Sequence, residues 1–173
     1  MSGSISDIIK EMNEQQISGV ILVLLRLTLG FSFLTTWLSN LTKGAFTAQG
    51  FIDTISYFID SPDHIVTPFD TIIRTVAFPN AALFGFGWMF VELFISLTLI
   101  FGVLTRLGSI IGAGSTIILG LGALGVDWPW TYALLFVGFL TCALAGAGRW
   151  FGIDFFLKDM IPERFEKYAK FLL

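Results

Sequence analysis

The chain has 173 residues, 55% of them hydrophobic and only 13% charged, against about 25% charged in a soluble domain. With a mean hydropathy of +0.82, that balance excludes a soluble globular enzyme and points to an integral membrane protein. The formal net charge of −3 argues against nucleic acid as a partner, and a single cysteine, Cys142, excludes an internal disulfide.

The expected fold class is an all-α membrane protein: one domain over 1–173 forming a four-transmembrane-helix bundle. An extracytoplasmic amphipathic helical insertion and a C-terminal amphipathic helix complete it. Residues 4–16 are a polar lead with Ile5, Ile8, Ile9 and Met12 on one helical face, as in a helix lying on a membrane surface. The lead is polar and the first apolar run is long enough to span, so no cleavable signal peptide is expected.

The first span covers 17–38. Arg26 lies inside it, with Gly30, Phe33 and Trp37 on the same stripe at i+4, i+7 and i+11. Asn40, Thr42, Lys43 and Gly44 then end the helix. Residues 45–79 read as two short amphipathic helices over the outer mouth. Phe51, Ile52, Ile55, Phe58 and Ile59 face one way in the first. Phe69, Ile72, Ile73, Val76 and Ala77 do so in the second, which Pro79 is expected to stop.

The second span, 81–104, carries one charge, Glu92, with Trp88 one turn earlier. Thr105 and Arg106 read as a tight turn. The third span, 107–124, has Gly108 and Gly112 at the spacing that lets helices approach closely. Asp127 reads as an N-cap and Trp128 and Trp130 as an interfacial belt. The fourth span, 130–147, ends near Arg149. The tail, 153–173, has Leu157, Ile161, Phe165, Tyr168 and Leu172 on one face and Lys158, Arg164, Lys167 and Lys170 elsewhere, as in a helix held on membrane lipid.

One side of such a bundle holds Lys10, Arg106, Arg149, Lys158, Arg164, Lys167 and Lys170; the other holds Lys43 and Arg74. The excess of cations on the first side predicts a multi-pass cell-membrane protein with both termini in the cytoplasm.

Where could chemistry sit? Counted from one membrane face, Arg26 and Glu92 lie at about 14 Å and about 18 Å, close enough to form a buried ion pair. A carboxylate at that depth is costly unless paired, protonated or wet. The pair is one candidate catalytic site, with Arg26, Trp88 and Glu92 as a quinone pocket: a hydrogen-bond donor, an aromatic wall and a proton relay. An ion pair that only sets helix register is the plainer alternative. Lys43, His64, Asp127, Trp128 and Trp130 make a second, outward candidate, where His64 reads as solvated. One His and one Cys supply no haem, iron–sulfur or metal ligand set from this chain alone.

The segments LLRLTLGFSFLTTWLSNLTKG, ELFISLTLIFGVLTRLG and WPWTYALLF followed by GAGRW resemble the DoxX/DoxD membrane-protein family over most of the chain. The long insertion at 45–79 is more similar to DoxD, the small membrane subunit of archaeal thiosulfate:quinone oxidoreductase. The resemblance implies a four-helix bundle, a DoxA-like partner subunit, and electron transfer from thiosulfate to membrane quinone with tetrathionate as product. Arg26, Lys43, Glu92, Thr105, Arg106 and Arg149 match the family's recurrent polar positions. The glycine-proline-glycine often seen before the last arginine is here Gly146, Ala147, Gly148. Family members have varied roles, so an accessory subunit of a terminal quinol oxidase stays open as the alternative.

Overall fold

The computed structural model describes residues 14–160. The lead helix expected over 4–16 falls almost wholly outside them, as does the tail beyond residue 160. In chain order the elements are α1 (Glu14–Thr42), α2 (Ala48–Ile59), α3 (Thr67–Ile72), a π-helical turn (Ile73–Ala77) and a 3-10 turn (Phe78–Asn80). There follow α4 (Ala81–Phe101), α5 (Thr105–Ala123), α6 (Pro129–Ala145), a second 3-10 turn (Ala147–Arg149) and α7 (Asp154–Met160). Among the described residues there is no strand, only an isolated bridge between Leu124 and Asp127.

Among the described residues three helical stretches are long and apolar enough to cross a membrane: Gln15–Thr42, Thr67–Phe101 and Thr105–Ala123. The fourth, Pro129–Ala145, is apolar but has 17 residues, about 25 Å at 1.5 Å per residue. α1 packs along α4, α5 along α6, and α1 also meets α6. Leu29, Phe33, Ile95, Leu99, Phe139 and Cys142 are buried where they meet. Phe33 and Phe139 sit edge to face at 5.2 Å, the arrangement aromatic rings prefer. The outer surface is as apolar as the core: Leu83, Leu134 and Leu144 are 70–73% exposed. Against lipid, burial gives helices little reason to associate, so close packing through small residues must do it. Gly112 lies against the Phe139 ring, and Gly108 against Thr98, so closely that a Cβ at either would overlap its neighbour.

Three expectations about boundaries are corrected. Pro79 does not stop a helix: it sits in the 3-10 turn, and the helical path runs on from α3 to α4. The π turn just before it changes the hydrogen-bond spacing, which relieves the bond a proline cannot make. The turn expected at Thr105 and Arg106 lies instead at 102–104. Gly102 takes the left-handed conformation (φ +66) and closes α4 by donating its N–H to Thr98 O, as glycine does best. Thr105 and Arg106 then belong to the first turn of α5. Finally, Asp127 is not the N-cap of α6; that position is Trp128, with Pro129 opening the helix.

The insertion docks on the N-terminal end of α4. α2 buries Phe51 and Ile59 and leaves Asp53 and Thr54 exposed. Phe51 packs with Ala77 and Ala81. Arg74 and Asp60 tie its two halves by an exposed salt bridge.

Candidate functional site

Arg26 and Glu92 do not meet. Both are buried, 2% and 3% exposed, but each serves a different end of the bundle. α1 and α4 are antiparallel, and a helical side chain leans toward its own N-terminus. Arg26 therefore leans toward one membrane face and Glu92 toward the other, which the depth count ignored. Asn40, the α1 partner of Glu92, is fourteen residues beyond Arg26, about 21 Å along the axis.

At the Glu92 end, Asn40 Nδ2 donates to both carboxylate oxygens, at 3.0 and 3.1 Å. Trp88 Nε1, one turn earlier on α4, donates to Oε1 at 2.9 Å. Among the described residues the ion pairs are His64–Asp70 and Arg74–Asp60, so the Glu92 carboxylate is held by neutral donors with no cation on it. Bonds to an ionised acceptor are worth about 1.5–3 kcal/mol each, enough to offset much of the burial cost. Trp37, three residues before Asn40 on α1, has a buried Nε1 with no hydrogen-bond partner among the described residues. Lys43 lies just past the end of α1 and is exposed.

At the other end, Arg26 Nη1 donates to Ala147 O at 3.3 Å and Trp150 O at 3.4 Å. Gly102 and Gly152 leave the room for its guanidinium; a Cβ on either would overlap it. Beside it Asp154, fully buried, accepts the Leu104 N–H at 2.7 Å and the Thr105 N–H at 2.9 Å. Its own N–H returns to Gly102 O at 2.8 Å. The N-cap residue of α5 is Leu104, whose side chain can make no capping bond, so the carboxylate fifty residues on supplies it. An anion at a helix N-terminus is also favoured by the helix dipole. Arg106 and Arg149 belong to this end too. Of the matched polar positions, Arg26, Thr105, Arg106 and Arg149 thus gather at one end, while Glu92 and Lys43 lie at the other.

The outward candidates are brought to the Glu92 end, but among the described residues the side-chain bond between any two of them joins only the neighbours Asp127 and Trp128. Asp127 accepts the Trp128 N–H at 2.7 Å and the Tyr132 hydroxyl at 3.1 Å. Trp128 and Trp130 are exposed. His64 is not solvated: its side chain is 1% exposed, with Nε2 2.7 Å from Asp70 Oδ1. Among the described residues no three His, Cys, Asp or Glu gather as metal ligands would.

The sequence reading assigns no site role to Asn40, Trp37, Tyr132 or, above all, Asp154. Asp154 carries a signal in retrospect, a lone acid after Gly152 at the start of a helix. Nothing local says which helix it caps.

No curated protein and no solved structure matches the chain. A family model described as DoxX matches residues 21–125. That match takes in most of α1, α2 through α5 and more than half of the chain, which belongs to the DoxX family of membrane proteins.

Proposed function

We propose that this protein is the membrane subunit of a thiosulfate:quinone oxidoreductase, with the quinone head seated at Glu92 rather than between Glu92 and Arg26. The observation that carries it is the Glu92 carboxylate, buried and held, among the described residues, by the neutral donors Asn40 and Trp88. Such a carboxylate can take and release a proton without breaking an ion pair. Trp88 offers an aromatic wall, and Trp37 Nε1, with no partner among the described residues, is a donor suited to a quinone oxygen. Oxidation of two thiosulfates to tetrathionate releases two electrons at a DoxA-like partner subunit. The quinone takes them with two protons, and Glu92 relays one. Ionisable groups within membranes commonly serve such pathways.

On this reading α6 completes a four-span bundle, and the Arg26 end faces the cytoplasm, following the lysine and arginine counts. Arg26 acts as a positioning residue for the 147–154 segment.

One observation favours the second reading, an accessory subunit of a terminal quinol oxidase. The Glu92 oxygens are already served from within the chain, so the cluster also works as a plain tie between α1 and α4. The purified native complex, given thiosulfate and a short-chain quinone, separates the two. Quinone reduction that falls on Glu92→Gln supports the first; co-purification with haem–copper subunits and no thiosulfate activity supports the second.

A further inference from the structure

The Arg26 end carries a second feature with no part in quinone chemistry. α4 ends at Phe101, α5 begins at Thr105 and α6 ends at Ala145, so three membrane helices finish together there. Arg106 stands on the first turn of α5 and Arg149 in the 3-10 turn after α6. Both reach Gly146, which takes φ +61. The position its Cβ would occupy is 3.3 Å from Arg106 Nη2 and 3.5 Å from Arg149 Cδ. Two guanidinium-bearing side chains thus converge at the level where helices leave the apolar layer, and Arg149 is exposed. The buried acid Asp154 accepts the Leu104 and Thr105 N–H groups, and its charge also reaches Arg106.

The same end also exposes aromatic rings. Phe101 is 56% exposed, Phe151 81% and Phe156 66%. Phe151 holds φ +50, a conformation a bulky residue adopts only when its surroundings impose it. Here they do: Trp150 O is held by Arg26, and Ile153 N–H by Phe101 O. The fold spends strain to turn this ring outward. Exposed aromatic rings belong at the acyl boundary, and guanidinium groups match phosphate oxygens in geometry as well as charge.

We propose that Arg106 and Arg149 bind the phosphate of an anionic phospholipid headgroup, with Phe151 and Phe156 seated in the adjoining acyl region. The pairing of two cations with an apolar rim selects a lipid over a soluble anion. This inference does not depend on the quinone reading.

The test uses the full-length protein in detergent, titrated with phosphatidylglycerol or phosphatidylcholine and read by native mass spectrometry. The protein should prefer phosphatidylglycerol. Arg149→Gln should weaken that preference about fivefold, the effect of one basic residue at an anionic surface. Adding Arg106→Gln should abolish it. Arg149→Lys should keep most of it, and Phe151→Ser should weaken both lipids alike. Lys43→Gln, at the opposite end, should change nothing. Because Arg149 is exposed, Arg149→Gln decides the matter if the double variant fails to fold. An unchanged preference in Arg149→Gln overturns the proposal. So does displacement of the lipid by millimolar inorganic phosphate alone, which would mark a site for a soluble anion.

Discussion

The carboxylate of Asp154 caps the helix that begins at Thr105, accepting the Thr105 N–H at 2.9 Å and the Leu104 N–H at 2.7 Å. It closes the turn between α4 and α5 from a place fifty residues further on, and fixes the segment after α6 in the same stroke. Replacing it should therefore loosen both. Asp154→Asn keeps one acceptor and should cost about 1–2 kcal/mol, in the range of a lost cap. Asp154→Ala leaves two buried N–H groups without partners and should cost more, about 2–5 kcal/mol. Thermal unfolding in detergent orders the two variants; equal stability of all three proteins would contradict the capping role.

Gly112 and Gly114 stand on the same helix but face different surroundings. A Cβ at Gly112 would overlap the Phe139 ring, while one at Gly114 would meet nothing within 4 Å. Gly112→Ala should destabilise by about 1–3 kcal/mol through overpacking. Gly114→Ala should be neutral or stabilising by up to about 1 kcal/mol, since alanine is the better helix former. The same unfolding assay on both variants checks the contrast.

Asn40 and Glu92 should be energetically coupled. Asn40→Ala strips the carboxylate of two bonds, and in a Glu92→Gln background much of that loss should vanish. A double-mutant cycle should give a coupling of about 1.5–3 kcal/mol, the scale of hydrogen bonds to a charged group. A coupling near zero would mean the two do not interact in the membrane.

Arg26 and Glu92 should behave as strangers. They sit on facing helices but near opposite ends, and share no partner. Arg26→Gln should destabilise the protein by leaving the Ala147 and Trp150 carbonyls unserved. Its effect should add to that of Glu92→Gln within about 0.5 kcal/mol, as for distant sites. Strong coupling in a cycle of unfolding measurements would restore the ion pair that the geometry rules out.

Much of the bundle was legible in the sequence because hydrophobic length is a blunt signal. The three long spans follow from it, and the Gly108 and Gly112 spacing correctly marked close helix contacts. Depth arithmetic failed for Arg26 and Glu92 because it set Ile17 level with Leu104, whereas Gly30 lies against Leu99 and Ile100. That register separates the two charged residues by about 17 Å along the helices before side-chain direction adds more. Pro79 misled because a proline stops an ideal α-helix but not one that changes winding just ahead of it. His64 was misread because local polarity says nothing of the distant turn at 124–125 that covers its loop; Ile65 N–H bonds Leu124 O at 3.4 Å. Asp154 was invisible for the same reason: its partners lie about fifty residues away, and no periodicity encodes them.

The reading rests on Glu92 as the proton-handling group beside a quinone. The most direct measurement is thiosulfate-dependent reduction of a short-chain quinone by the purified native complex, wild type against Glu92→Gln. The substitution keeps the size of the side chain and an oxygen for the Trp88 N–H. Turnover should fall at least about a hundredfold, the lower range for loss of a general acid–base group, with helix content and unfolding temperature little changed. Undiminished turnover in a folded Glu92→Gln complex would contradict the account.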